Sequence, residues 1–183
     1  RQVISYAVFC LQKKRKQKYN TEYSFFENKQ QNRETMNKIA FITGASSGIG
    51  EATAVEFAKQ GYNLIITGRR KAKLEKLAEK LSLSHIKVLP LIFDIQNRSK
   101  TELIFKNIPE EWKNIDVLIN NAGLAAGLDP IDKGNIDDWE QMINTNIKGL
   151  LYITRLISPG MVARQKGHII NIEIGRASCR ERV

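Results

Sequence analysis

Residues that bind metals or form disulfides are scarce in this sequence. Its 183 residues include only two cysteines and two histidines. Cys10 and Cys179 lie near opposite ends of the chain, and the long segment between them has no further cysteine. A disulfide framework or a cysteine-based zinc site needs several such residues at close spacing. We therefore expect no structural disulfide, no bound metal and a reducing, cytoplasmic setting.

A long hydrophobic run is missing as well. The apolar stretch at 3–11 is far shorter than the roughly 20 residues that span a bilayer. Its neighbouring basic residues follow the apolar stretch, whereas a secretory signal peptide carries them in front. The sequence therefore predicts neither a membrane partner nor a signal peptide.

Basic charge is plentiful, but little of it belongs to the middle of the chain. The formal net charge is +10. Residues 1–35 hold eight Lys or Arg against three Glu, and residues 174–183 hold three Arg against one Glu, which leaves +3 for residues 36–173. A nucleic-acid-binding domain carries its basic face within the fold. We therefore interpret the lysine-rich run at 13–18 as a solvated tail and expect no nucleic-acid partner.

The two ends differ in composition from the middle. Residues 1–35 are rich in Lys, Gln, Asn and Glu and have no sustained period of 2 or 3.6, which is typical of a flexible leader. Residues 174–183, IGRASCRERV, again lack any period and resemble a translated sequencing adapter. We expect a non-native leader at 1–35, one globular domain at 36–173 that starts at Met36, and a non-native tail at 174–183.

Short apolar runs alternate with helical patterns after Met36. The runs, rich in Ile, Leu and Val and typical of strands covered on both faces, are 39–43, 63–67, 87–93, 116–120 and 168–172. One helical stripe consists of Leu74, Leu77, Ala78 and Leu81, and a longer one of Trp139, Met142, Ile143, Asn146, Leu150 and Ile153. This alternation predicts an α/β fold with a doubly wound parallel sheet of the Rossmann type.

A glycine-rich segment lies where the first predicted strand turns into a helix. Such a loop turns tightly, admits a phosphate close to the backbone and points helix N–H groups at anionic oxygens. An ordinary strand-to-helix turn is the alternative, since the spacing G-x-x-x-G-x-G is not the commonest dinucleotide fingerprint. The candidate cofactor-binding residues of this loop are Gly44, Ser46, Ser47, Gly48, Ile49 and Gly50.

Two arginines end the second predicted strand. Arg69 and Arg70 lie 19 and 20 residues after Gly50, a spacing that fits an adenosine between the glycine-rich loop and the end of the second strand. No acid occurs between Glu56 and Glu75. A Rossmann site for NAD places an acid here, whereas a site for NADP places arginine near the 2′-phosphate. The pair therefore predicts NADP as the cofactor, with a solvated pair at a strand end as the alternative.

The ends of the third and fourth predicted strands supply further candidates. Asp94 and Ile95 stand where the adenine of a dinucleotide would lie, although Asp94 would also suit the cap of the next helix. Small and polar residues at the end of a buried strand suit a wall against a ligand. These residues are Asn120, Asn121, Ala122 and Gly123.

The segments TGASSGIG, Asp94-Ile95, NNAG and NTNIKG, in this order and spacing, resemble the short-chain dehydrogenase/reductase family over residues 37–172. Within it, GRRKAKLEKLAEKL, NNAGLAAGL and PGMVARQKGHIINI are similar to NADP-dependent dehydrogenases of serine and other 3-hydroxy acids. The resemblance implies an NADP-binding domain that lacks the family's later strands and helices, and a parent protein that forms a homo-oligomer.

The resemblance also implies a catalytic tetrad of Asn, Ser, Tyr and Lys, of which Asn146 matches the asparagine. A structural core asparagine is the alternative. The serine would stand where Ile174 now lies, and Tyr152 is followed four residues later by Leu156 instead of lysine. The implied function is hydride transfer between NADP(H) and a small alcohol or carbonyl substrate, with 3-hydroxy acids as a candidate class. Because three of the four tetrad residues are missing, we expect this fragment itself to be inactive. A non-catalytic dinucleotide-binding or sensor protein on the same fold is the alternative.

The leader hypothesis can be tested by trimming. A chain that begins at Met36 is expected to unfold at the same temperature as the 183-residue chain and to bind NADPH equally well, because an unpacked leader contributes no contacts. Thermal unfolding and cofactor titration of both chains measure this. A drop of several degrees on trimming would instead show that residues 1–35 pack on the domain.

Overall fold

A computed structural model of the chain describes residues 38–127 and 129–172. The expected leader at 1–35, the expected tail at 174–183, and both cysteines lie outside these residues. The strands are β1 (Ile39–Ile42), β2 (Asn63–Gly68), β3 (Val88–Ile92), β4 (Ile115–Asn120) and β5 (His168–Asn171). The helices are α1 (Gly48–Lys59), α2 (Lys71–Ser82), α3 (Arg98–Lys106), α4 (Ile136–Met142) and α5 (Leu150–Ala163).

The strands form one parallel sheet in the order β3-β2-β1-β4-β5. β2 and β3 are added on one side of β1, and β4 and β5 are added on its other side, so the strand order switches after β3. The carboxyl ends of β1 and β4 therefore meet at the point where the strand order switches. This is the place where an open α/β sheet offers a crevice for a ligand, and the predicted doubly wound fold is confirmed.

The central strand β1 is buried on both faces. Ala40 and Ile42 belong to the core cluster on one face, and Ile39 and Phe41 belong to the cluster on the other. Side chains alternate between the faces because a strand has a period of two. The first cluster also contains the α2 stripe Leu74, Leu77, Ala78 and Leu81, which is buried as predicted. The second contains Ile153, Ile157 and Met161 of α5.

The longer predicted helix is not one regular helix. A π-helical turn, Ile143–Gly149, separates α4 from α5. The residues that bury themselves against the sheet on this side recur at every fourth position: Thr145, Gly149, Ile153, Ile157 and Met161. The predicted stripe is therefore wrong at Ile143 and Asn146, which are exposed.

Within the described ranges, no helix is both long and apolar enough to cross a membrane.

Candidate dinucleotide-binding site

The glycine-rich loop between β1 and α1 is pressed against the end of β4. Gly44 and Gly48 have φ values of +66° and +60°, in the left-handed region that favours glycine. A Cβ on Gly44 would lie 2.7 Å from the Cα of Ala122. A Cβ on Gly50 would lie 2.5 Å from the carbonyl oxygen of Gly44 and closer still to the amide of Asn121. The loop can take this shape only with glycine at these positions.

The N-terminus of α1 is open. Ser47 is the N-cap residue, yet its side chain makes no capping hydrogen bond, and Ser47, Gly48 and Ile49 are exposed. The first N–H groups of a helix have no acceptor within the helix and carry partial positive charge. A Cβ on Gly48 would meet no atom within 4 Å. An anionic group therefore has both space and hydrogen-bond donors here.

Thr43 and Asn121 fix the shape of the loop. The hydroxyl oxygen of Thr43 accepts hydrogen bonds from the backbone N–H groups of Asn121 and Ala122, both at 2.9 Å. The side-chain amide of Asn121 donates to the carbonyl oxygens of Thr43 at 3.0 Å and Gly44 at 3.2 Å. Thr43 was not among the predicted site residues. The signal that could have found it is its place at the end of β1, beside the end of β4.

Arg70 reaches back over the loop. Its guanidinium donates to the hydroxyl oxygen of Ser46 from Nη2 at 3.0 Å and from Nε at 3.2 Å, and to that of Ser47 from Nη2 at 2.5 Å. In the described part of the chain, no carboxylate pairs with Arg70. The side chain therefore brings an uncompensated positive charge to the mouth of the loop.

Arg69 points toward the end of β3. Its Nη1 lies 3.5 Å from Oδ2 of Asp94, and both side chains are well exposed, at 62% and 39%. An exposed pair of this kind contributes about 0 to 1 kcal/mol. A ligand phosphate could therefore compete for Arg69 at little cost. Together the two arginines frame the region between the loop and the end of β3.

Asp94 does not cap α3, so that alternative interpretation is wrong. The N-cap residue is Asn97, whose side chain accepts a hydrogen bond from the N–H of Lys100 at 2.9 Å. Asp94 instead accepts from the backbone N–H of Gln96 at 3.0 Å, which forms a tight turn. Ile95, between them, is 7% exposed and packs in the core. Only the backbone of Ile95 remains for a ligand.

The four residues at the end of β4 divide into two groups. The side chain of Asn120 is buried and donates to Thr154 and to Asn171, each at 3.0 Å, which ties β4 to α5 and β5. Its Oδ1 has no hydrogen-bond partner in the described residues. Asn121, Ala122 and Gly123 continue along the loop, where Gly123 is exposed and lies beside Asn146. Of these three, Asn121 and Ala122 are half-buried against the glycine-rich loop, and Gly123 is exposed.

Asn146 lies in the π-helical turn and is exposed. Its place on the predicted apolar stripe implied a buried side chain, and this is wrong, because the wide turn shifts the buried positions to Thr145 and Gly149. The alternative of a core asparagine is wrong for the same reason. The Asn146 amide is nevertheless hydrogen-bonded at both ends: Oδ1 accepts from the N–H of Leu124 and Nδ2 donates to the carbonyl oxygen of Leu124, both at 2.8 Å. Asn146 thus holds the chain that leaves NNAG.

The described residues contain no group of three or more His, Cys, Asp or Glu side chains that could hold a metal ion. The polar groups at this end of the sheet are instead hydroxyls, amides, backbone N–H groups and two arginines, together with the Asp94 carboxylate that pairs with Arg69. This set of donors suits a phosphate-bearing ligand.

A family model described as short chain dehydrogenase matches residues 38–178. The chain therefore belongs to the short-chain dehydrogenase family. Among its relatives, the NADP-dependent 3-hydroxy acid dehydrogenase YdfG of Salmonella typhi is 48% identical over 134 residues, which are 73% of this chain and 53% of the relative. The serine 3-dehydrogenase of Agrobacterium fabrum is 42% identical over 137 residues, with 75% and 53% covered.

Solved structures give the same result. Serine dehydrogenase from Escherichia coli superimposes with a TM-score of 0.68 at 46% identity, covering 73% of this chain and 60% of that one. The closed form of serine dehydrogenase complexed with NADP+ gives 0.69 at 46% identity, with 73% and 52% covered. The chain spans about half the length of the curated relatives it matches.

Proposed function

We propose that this chain forms the NADP(H)-binding part of an oxidoreductase that acts on a small alcohol or carbonyl compound, with 3-hydroxy acids as the favoured substrate class. The observation that carries the proposal is the open N-terminus of α1 flanked by Arg69 and Arg70, with no acid in the place where a site for NAD would have one. Relatives named as NADP-dependent dehydrogenases of 3-hydroxy acids and serine support it.

The crevice fits the parts of the cofactor in sequence. The N–H groups at Gly48, Ile49 and Gly50 would hold the pyrophosphate, because they lack helical acceptors. Arg69 and Arg70, with the Ser46 and Ser47 hydroxyls, would hold the 2′-phosphate. Asp94 and the backbone of Ile95 would border the adenine, and Asn121, Ala122 and Gly123 would border the nicotinamide side. Asn120 would not contact the cofactor; it would hold the ends of β4 and β5 together through its hydrogen bond to Asn171.

Bound NADP(H) would supply or accept the hydride, and the chain's own residues would position it. Asn146 holds the backbone at Leu124 through two hydrogen bonds, so it would shape the substrate side of the crevice. An amide does not exchange a proton with substrate at neutral pH. A proton donor from elsewhere in the parent protein, the Tyr and Lys of the family's tetrad, would complete the site.

A non-catalytic dinucleotide-binding or sensor protein is the second candidate. It would use the same cofactor-binding residues and differs in needing no Tyr-x-x-x-Lys motif after β5. The codons that follow Ile172 in the source gene distinguish the two candidates. A Tyr-x-x-x-Lys motif there supports the oxidoreductase, and its absence supports the sensor.

The remaining expectations belong to the same proposal. We infer one domain over 36–173, a non-native leader at 1–35 and a non-native tail at 174–183. The parent protein is proposed to work in the cytoplasm as a homo-oligomer on a small-molecule substrate, without a nucleic-acid partner.

The arginines make a direct prediction. Arg69→Ala is expected to weaken NADPH binding roughly ten- to hundredfold, because one charged hydrogen bond to phosphate contributes about 1.5 to 3 kcal/mol. Arg70→Ala is expected to do the same. NADH binding should barely change, since NADH has no 2′-phosphate. Fluorescence titration of each variant with both cofactors measures the effect.

Arg98→Ala provides the matched control. Arg98 is also an exposed arginine paired with an acid, Glu102, at 2.8 Å, but it lies on α3 outside the crevice. This variant should bind both cofactors as the unaltered chain does. Equal weakening of NADPH and NADH by Arg69→Ala and Arg70→Ala would exclude the assignment of these arginines to the 2′-phosphate.

A further inference from the structure

A single hydrogen bond joins the turn after β3 to the π-helical turn. The side-chain amide of Gln96 donates from Nε2 to the hydroxyl oxygen of Thr145 at 2.8 Å. Thr145 is 8% exposed and directly precedes Asn146, whereas Gln96 directly follows Ile95. Two segments 49 residues apart in the sequence are thereby held together at the crevice.

Packing holds the same two segments on their other side. A Cβ on Gly149, in the π-helical turn, would lie 2.7 Å from the side chain of Ile95. Gly149 is buried, and so is Ile95. The absence of a side chain at Gly149 therefore lets the π-helical turn lie directly against the turn at 94–96, where the Gln96 hydrogen bond can form.

The link is part of a continuous series of contacts. Arg69 lies 3.5 Å from Asp94, and Asp94 accepts the N–H of Gln96 at 3.0 Å. Gln96 then holds Thr145. Asn146, the next residue, holds Leu124. The series begins at the exposed Arg69 and ends at the backbone of Leu124.

We propose that Gln96 and Thr145 are positioning residues that couple occupation of the adenine and 2′-phosphate end of the crevice to the placement of Asn146. This inference rests on the proposed function. A phosphate that draws Arg69 from Asp94 releases one anchor of the turn, and the Gln96 hydrogen bond passes that change to the π-helical turn. Such π-helical turns inside helices are frequent at functional sites.

The test uses a ligand that cannot reach Asn146. Adenosine 2′,5′-bisphosphate carries the adenine and the 2′-phosphate but no nicotinamide, so any response at Asn146 must pass through the protein. The side-chain amide signal of Asn146, assigned by its loss in Asn146→Asp, is followed by NMR as the 183-residue chain is titrated. We expect this signal to shift on saturation.

Removal of the hydroxyl separates positioning from folding. Thr145→Val should abolish the shift of the Asn146 signal while changing the affinity for the bisphosphate less than about fivefold. Thr145→Ser should restore the shift, because it keeps the hydroxyl. Gln96→Ala removes the other partner of the hydrogen bond and should also abolish the shift. Because Gln96 is only half-buried, this variant tests the coupling even if Thr145→Val fails to fold.

Thr101→Val is the matched control. Thr101 is also a buried threonine, and its hydroxyl donates to the carbonyl oxygen of Asn97 at 2.8 Å without reaching the π-helical turn. This variant should retain the shift. A shift that persists in Thr145→Val and Gln96→Ala, or an unaltered chain that binds the bisphosphate with no response at Asn146, would overturn the coupling alone. Failure of the unaltered chain to bind the bisphosphate would overturn the proposed function and the coupling together.

Discussion

Gly50→Ala is expected to lower the free energy of unfolding by roughly 3 kcal/mol and to abolish measurable NADPH binding. The added methyl carbon would lie 2.5 Å from the carbonyl oxygen of Gly44 and even closer to the amide of Asn121. Neither neighbour can move freely, because the Asn121 amide is bonded to the carbonyls of Thr43 and Gly44. The helix N-terminus would therefore be pushed away from the loop, and the anion site would lose its shape.

Gly160→Ala is the control for this substitution. It adds the same methyl group within α5, where the nearest atom is Nη1 at the far end of the Arg164 side chain, at 3.2 Å, and no backbone atom lies closer. Alanine is a better helix former than glycine by roughly 1 kcal/mol, so stability should stay equal or rise slightly. Urea unfolding and NADPH titration of both variants measure the difference. Comparable stability and affinity in the two variants would refute the tight packing described for Gly50.

Some of the fold could be predicted because the relevant pattern is local. The stripe Leu74, Leu77, Ala78 and Leu81 is buried as predicted, since a regular helix repeats every 3.6 residues and α2 has one apolar side. The five strands were recognisable for a similar reason. Their apolar runs are nearly continuous, which strands in a parallel sheet require.

The π-helical turn was not predictable from the same kind of pattern. The helical region around Asn146 has two apolar stripes, and the outward one contains Ile143, Ile147 and Leu151, which are 45%, 54% and 55% exposed. The inward one begins with Thr145 and Gly149, which a search for apolar residues passes over. The predicted stripe therefore includes the exposed Ile143 and Asn146 in place of Thr145 and Gly149, and it meets the buried face only at Ile153.

In the candidate site, too, local features could be predicted from the sequence and contacts between distant segments could not. The glycines and arginines could be named because strand, loop and helix follow each other along the chain. Their partners could not, because the Arg70 contact with Ser46 spans 24 residues and the Asn121 contact with Thr43 spans 78. Such pairs depend on strand order, and a sequence specifies strand order only through the packing of the whole sheet.

No sustained turnover is expected from the 183-residue chain, even where NADPH binds. None of its tyrosines is followed by lysine at the required spacing, and Tyr152 has Leu156 in that place. Loss of a general acid costs about 10² to 10⁴ in rate. Asn146 cannot replace it, because its amide is engaged with Leu124 on both sides and donates no proton to a substrate.

The edge of the sheet at β5 is a second reason to expect poor behaviour of this chain in solution. Within the described residues, β5 pairs with β4 alone, so its other side presents free N–H and C=O groups. The side chains of Ile169 and Ile170 are only half-buried there. An apolar strand edge of this kind promotes association between copies. We therefore expect light scattering to show self-association that increases with concentration.

The turnover prediction is measured on purified chain with NADPH and a panel of ketones, aldehydes and 3-oxo acids, through the loss of NADPH absorbance over time. Fluorescence titration of the same preparation establishes whether cofactor is bound, so that lack of turnover is not mistaken for lack of binding. Asn146→Ala is the control, and it should give the same background rate as the unaltered chain. Steady oxidation of NADPH that depends on carbonyl substrate and disappears in Asn146→Ala would contradict the prediction, because it would mean that this chain supplies its own proton donor.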